Sequence, residues 1–235
     1  MNKEQYANFW EPESINFNSN KIYEILSKSI PNGNVLEIGC GIGIGTHYLS
    51  LNNEVLSLDN NKFLIEKAKI YLDHQNSKYQ IYQCELFQLT QDDKKIIHRF
   101  KPNIIVGWFL GAGGEIVNKY TREENDINNK GKLYREKLED IIVSDNLLVD
   151  SVETINFAIR SARLAKASKE EIFLAQKEDY DTYVFKYVGF EVTTVDVIDW
   201  DTVNSNFTYS SVANPNLLEG ELIPTIISIT AKRIK

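Results

Sequence analysis

Val35-Leu36-Glu37-Ile38-Gly39-Cys40-Gly41-Ile42-Gly43-Ile44-Gly45-Thr46 is the stretch that decides the fold. Residues 35–38 read as a short strand, the alternating glycines as a turn, and residues 46–51 as the helix continuing out of it. Glycines at 39, 41, 43 and 45 carry no Cβ, so backbone there passes close to a ligand without a side chain in the way. The spacing is G-x-G-x-G. No register of it satisfies G-x-G-x-x-G, because the third position falls on Ile44, Thr46 or Tyr48. That weakens a dinucleotide reading.

Working outward, Ile22, Ile25, Leu26 and Ile30 stand at helical spacing ahead of the breaker Pro31-Asn32-Gly33-Asn34. Beyond the glycines, residues 55–58 predict a second strand ending at Asp59, and Leu64, Ala68, Tyr71 and Leu72 predict a helix. Residues 79–83 predict a third strand. Residues 103–109, a nearly continuous apolar run, predict a fourth buried on both faces. Tyr134, Leu138, Ile141 and Ile142 mark another helix, followed by a strand over 146–151. A long helix is expected over 156–188, burying Phe173, Tyr180, Tyr183, Val184, Tyr187 and Val188 and stopping at Gly189. Residues 191–200 and 224–233 read as two closing strands joined by the polar connection 201–220. Strands alternating with helices define an α/β class: a mostly parallel seven-stranded sheet with a C-terminal antiparallel hairpin.

Composition narrows the function. The 235 residues are 43% hydrophobic and 25% charged, enough for one substantial core, with no linker-like segment dividing them. A net charge of -7 repels phosphate backbones, and the basic residues of 119–140 and 160–181 are interspersed with acids, which argues against a nucleic-acid substrate. The first 17 residues lack the order of a signal peptide, and no apolar run reaches the ~20 residues a membrane span needs. A cytoplasmic protein without membrane contact is the expectation. Cys40 and Cys84 are too few for a disulfide framework, no Cys/His cluster has zinc spacing, and no metal is expected.

The acids around the glycine turn carry a resemblance. Glu37 stands two positions before the run Gly39, Gly41, Gly43; Asp59 ends the second strand; Glu85 follows the third, in Gln83-Cys84-Glu85-Leu86. This order resembles the class I S-adenosylmethionine-dependent methyltransferases over residues 35–110. The resemblance implies a three-layer Rossmann-like methyltransferase fold in a single domain over 1–235. Its parts would be an N-terminal lid and helix over 1–33, a cofactor-binding half over 34–155, and a C-terminal helix and closing hairpin over 156–235. It implies S-adenosyl-L-methionine as cofactor and S-adenosyl-L-homocysteine as product. An acid at a strand tip can accept both ribose hydroxyls in charge-assisted bonds, which suits Asp59 beside Asn60. By the same resemblance Glu85 accepts from the adenine amino group and the Leu86 amide faces a ring nitrogen. Glu37 holds the turn of Gly39, Cys40, Gly41 and Gly43 and favours the ammonium of the methionine part. Backbone at the end of the fourth strand, near Trp108 and Phe109, completes that pocket, and Tyr6 and Trp10 belong to a lid. Read singly, these residues keep other uses: Asp59 with Asn60 and Asn61 can cap a helix, Glu85 can be solvated, Trp108 and Phe109 can be core, and the aromatics of 6–17 can brace the first helix.

The acceptor is bounded mostly by what is missing. The place after the fourth strand reads Trp108-Phe109-Leu110-Gly111, without the Pro-Pro-aromatic motif of DNA amino-methyltransferases, and neither cysteine follows a proline as a cytosine C5 nucleophile would. Glu115 is present there without a full metal-ligand set. His47, His74 and His98 read as surface or packing residues, and no general base is assigned. The expected reaction is methyl transfer to an O or N atom of a small molecule or of a peptide or protein side chain. Selectivity is expected in 116–131 and in 201–220, where Asn206, Tyr209 and Glu221 are candidate contacts. A non-catalytic S-adenosylmethionine-binding partner protein and an NAD(P)-dependent oxidoreductase are the alternatives.

Overall fold

Parallel strands joined by helices must bury both faces of their sheet, and the apolar residues of this chain divide between two such faces. The computed structural model describes residues 1–205 and 222–234. Seven strands, β1 Asn34–Ile38, β2 Glu54–Asp59, β3 Gln80–Gln83, β4 Ile104–Trp108, β5 Thr154–Leu164, β6 Phe190–Asp199 and β7 Leu222–Arg233, form one sheet in the order β3-β2-β1-β4-β5-β7-β6. The first five are parallel. β7 runs antiparallel between β5 and β6, which is the expected closing hairpin.

Eight α-helices are described: α1 Lys3–Ser19, α2 Ile22–Lys28, α3 Ile44–Ser50, α4 Lys62–His74, α5 Gln91–Phe100, α6 Gly114–Tyr120, α7 Ile127–Ile142 and α8 Lys169–Tyr180. On one face Val35, Val55, Ile104, Val106 and Ala158 pack with α1 to α4 through Phe17, Ile22, Leu26, Leu49 and Leu64. On the other, Leu36, Leu56, Ile105, Ile155 and Phe157 pack with α5, α7 and α8 through Ile97, Ile142 and Tyr180. The alternation Val35/Leu36 and Ile104/Ile105 sends neighbouring side chains to opposite layers.

Several expectations are corrected. Residues 146–151 form turns rather than a strand, with the Leu147 and Val152 amides donating to the Ser144 and Val149 carbonyls. Their apolar side chains still serve the core, since Leu147 and Val152 are fully buried. The fifth strand is β5, where a helix was expected from 156. Its run Ile155-Asn156-Phe157-Ala158-Ile159 is buried on both faces, so its period does not separate strand from helix; pairing with β4 and β7 does. The helix therefore begins only at Lys169, behind the capping box of Ser168 and Glu171. Beyond it the chain widens into a π-turn over Asp181–Phe185, so Phe185 is buried whereas Tyr183 and Tyr187 are 77% and 85% exposed. Residues 3–19, expected as a lid segment before the first helix, are themselves α1, and 116–131 supplies parts of α6 and α7 rather than a loop.

Candidate functional site

A cleft opens at the carboxyl ends of β1, β2, β3 and β4, the end of a parallel α/β sheet where ligands bind. Of the twelve cofactor-contact candidates, Glu37, Gly39, Cys40, Gly41, Asp59, Asn60, Glu85, Leu86, Trp108, Tyr6 and Trp10 line it. Gly43 does not. It is the left-handed N-cap of α3 at φ 88°, and a Cβ there would stand 3.0 Å from the Ala68 carbonyl oxygen, so its use is close packing of α3 on α4.

The floor is built from β1. Gly39, at φ 82°, donates its N–H to the Leu58 carbonyl at 2.7 Å and has open space where a Cβ would lie. Glu37, two residues earlier on β1, is buried; Thr46 and Ser57 donate their hydroxyls to its Oε2 at 2.6 and 2.5 Å. Burial pushes its carboxyl up to about 7, opposed by the Ser57 and Thr46 hydrogen bonds and assisted by the nearby Asp59 charge. Its other oxygen, Oε1, lies 3.1 Å from the point a Gly45 Cβ would occupy.

One wall is the tips of β2 and β3. Asp59 is half-buried; the Asn61 N–H donates to its Oδ1 at 2.8 Å and the Cys40 thiol approaches Oδ2 at 3.6 Å. Burial raises its carboxyl above the usual value, while the Asn61 and Cys40 contacts pull it down. Asn60 Nδ2 donates to Glu85 Oε2 at 3.1 Å, which links the segments that follow the two strands. Asn61 also caps α4, donating nothing to that task but accepting the Phe63 N–H, so the capping reading belongs to Asn61 and leaves Asp59 facing the cleft. Burial pushes the Cys84 thiol up to about 12 and the Cys40 thiol upward as well, which keeps both protonated and unreactive.

The roof is α1 with the segment after β4. Lys3 Nζ donates to the Asn60 carbonyl at 2.5 Å, and Asn61 Nδ2 donates to the Lys3 carbonyl at 2.8 Å, fastening the start of α1 to the β2 tip. Tyr6 stacks on Trp10 with centroids 6.4 Å apart, and Trp10 Nε1 lies 3.0 Å from where a Gly41 Cβ would be. Burial pushes the Tyr6 phenol up to about 12, keeping it a neutral hydroxyl. Phe109 adopts φ 56°, uncommon for a bulky residue, and turns the chain beneath α1, where its ring stacks on Phe17 at 4.5 Å. Trp10 and Phe109 thus both brace α1 and line the cleft.

The sequence did not point to Lys3, Tyr134 or Leu138 as lining residues, whereas Ile116, which also lines the cleft, belongs to the segment 116–131 where selectivity was expected. Tyr134 and Leu138 were legible as a helix stripe, yet a stripe does not say what it covers. Phe87, beside the third strand's acid, stacks on Tyr120 at 3.9 Å and tilts against Tyr134 at 5.5 Å, bringing α6 and α7 over Glu85 and Leu86. His47 pairs with Ser77 through Nδ1 at 2.7 Å, and His74 and His98 are exposed at helix ends; none lines the cleft. Among the described residues no group of three or more His, Cys, Asp or Glu side chains is arranged to hold a metal ion, and no helix is long and apolar enough to cross a membrane. Asn206, Tyr209 and Glu221 lie outside the described residues.

Sheet order, the antiparallel β7 and a cleft over the glycine turn together define the Rossmann-like fold of the class I S-adenosylmethionine-dependent methyltransferases. Among solved structures, a Haloferax volcanii protein in complex with the methyltransferase activator Trm112 matches with a TM-score of 0.54, at 11% identity over 99% of this chain and 98% of that one. The N-methyltransferase NodS of Bradyrhizobium japonicum, in complex with S-adenosyl-L-homocysteine, matches with a TM-score of 0.51, at 12% identity over 93% of this chain and 87% of that one. No protein-family model and no curated protein sequence matches the chain.

Proposed function

We propose that residues 1–235 form one S-adenosyl-L-methionine-dependent methyltransferase domain, acting on an O or N atom of a small molecule or of a peptide or protein side chain. The observation that carries this reading is the placement of Glu37, Asp59 and Glu85 at the ends of three adjacent parallel strands, around a glycine turn with open space above Gly39. When bound, the cofactor supplies a methyl group already activated on a sulfonium. The fit is chemical: Asp59 offers a carboxylate to a diol, Glu85 an acceptor to an amino group, and Glu37 Oε1 an acceptor beside the turn. Leu86, Tyr134 and Leu138 offer an apolar slot for a planar base. The roof of Lys3, Tyr6 and Trp10 excludes water from the methionine end and aligns what enters beside it. Alignment of this kind can supply on the order of 7–11 kcal/mol without a dedicated base. That agrees with a lining free of histidine, and the acceptor arrives as its own nucleophile.

The failed G-x-G-x-x-G register favours this cofactor over NAD(P). Titrating intrinsic fluorescence with S-adenosyl-L-homocysteine and with NADH tests the choice: a response to the first alone is expected, and a response to NADH alone would overturn the reading. Incubation with methyl-labelled S-adenosyl-L-methionine and fractionated lysate then tests catalysis. Label should enter an acceptor and be blocked by S-adenosyl-L-homocysteine; binding without transfer would leave a cofactor-binding protein.

A further inference from the structure

Asn156 stands in the middle of β5 with no exposed surface, between Ile155 and Phe157. A primary amide in such a place is costly unless its polar groups are paired. Trp108 Nε1 donates to its Oδ1 at 2.6 Å, and its Nδ2 donates to Ser228 Oγ at 3.0 Å and to Thr230 Oγ1 at 2.9 Å. An indole N–H can only donate, so the amide orientation follows from chemistry: oxygen toward β4, both N–H groups toward β7.

Apolar side chains would hold these three strands together about as well, since exchanging a buried hydrogen-bonded pair for apolar groups of the same shape is nearly neutral. What the polar chain adds is direction. It fixes the rotation of the Trp108 indole, whose Cε3 and Cζ3 come within 3.3 and 3.5 Å of the point where a Gly45 Cβ would stand. Glu37 Oε1 approaches the same point at 3.1 Å. Indole, Gly45 and Glu37 therefore close the floor beneath the glycine turn, and Trp108 lines the cleft while Asn156 does not.

We propose that Asn156 is a positioning residue that, by holding the Trp108 indole in one rotation, sets the floor under the amino-acid half of the cofactor. This rests on the methyltransferase reading above. The test compares S-adenosyl-L-homocysteine with 5′-methylthioadenosine, which keeps the nucleoside and lacks the amino-acid half. Asn156→Leu should weaken S-adenosyl-L-homocysteine binding on the order of tenfold, as expected for a lost bond and an orphaned donor, and leave 5′-methylthioadenosine within about twofold. Asn156→Asp retains an acceptor for the indole and should restore most of the loss, and the Trp108 indole N–H resonance should move upfield, as a lost hydrogen bond requires, in Asn156→Leu but not in Asn156→Asp. Should Asn156→Leu fail to fold, Asn156→Ser, too short to reach the indole, should show the same split. Equal losses for both ligands, or none, would overturn the proposal while the wild type still binds. A wild type that binds neither ligand would instead overturn the methyltransferase reading.

Discussion

Asp59 is the side chain on which the proposed cofactor recognition turns, because its carboxylate is fastened by the Asn61 N–H yet still lines the cleft. Asp59→Ala should weaken S-adenosyl-L-homocysteine binding by about 1.5–3 kcal/mol, the range for hydrogen bonds to a charged group, as read by calorimetry; an unchanged dissociation constant would remove Asp59 from the site. Residues of this kind were legible in the sequence because chemistry and location coincide: acids at the ends of successive strands around a glycine turn, each with ordinary uses alone, are informative together. Lys3, Tyr134 and Leu138 were not, since a lysine near a terminus and an apolar helix stripe have many ordinary uses. Gly43 was legible as a glycine with a role, but its role is contact with Ala68.

The glycine turn acts as an element by joining β1 to α3 while letting α3 lie against α4. Gly43→Ala would place a Cβ 3.0 Å from the Ala68 carbonyl oxygen and 3.1 Å from its Cα, in a left-handed conformation that alanine resists. The variant should lose more than about 1 kcal/mol of stability in urea unfolding; a midpoint equal to wild type would show that α3 and α4 are free to move apart. Elements with one apolar stripe or a clear alternation, such as α4 and the β6–β7 hairpin, could be read directly. β5 could not, since a strand buried on both faces shows neither period. The first 20 residues could not either: the polar Glu13, Ser14 and Asn16 are buried on α1, so its inner face is not marked by hydrophobicity.

Across the whole molecule, two buried carboxyls tie stability to pH. Burial pushes Glu37 and Glu139 up to about 7 from an ordinary 4.5; for Glu139 the Arg135 guanidinium and the Tyr180 hydroxyl pull the other way. Between those values the folded chain binds more protons than the unfolded one, so each acid makes stability fall as pH rises from about 4.5 to about 7, with no further effect above. Asp93 and Asp199, lowered from 3.8, act only below that window, and His47, lowered from 6.5 by burial, opposes the trend near its upper end. The two glutamates are therefore best isolated by difference. Glu139→Gln should flatten the decline of the urea midpoint between pH 5 and pH 8, and a slope equal to wild type would mean that Glu139 stays ionised in the fold.

By itself the sequence determined the α/β class, the site of the glycine turn and the acids around it, because backbone room and charge at strand ends are local properties written in single residues. Only the tertiary structure decided that β5 is a strand, that α1 roofs the cleft with Lys3, Tyr6 and Trp10, that α7 closes its far end, and that Asn156 holds Trp108. Each of these depends on which surfaces meet across long separations in the chain, and burial against a distant partner leaves no mark in local periodicity.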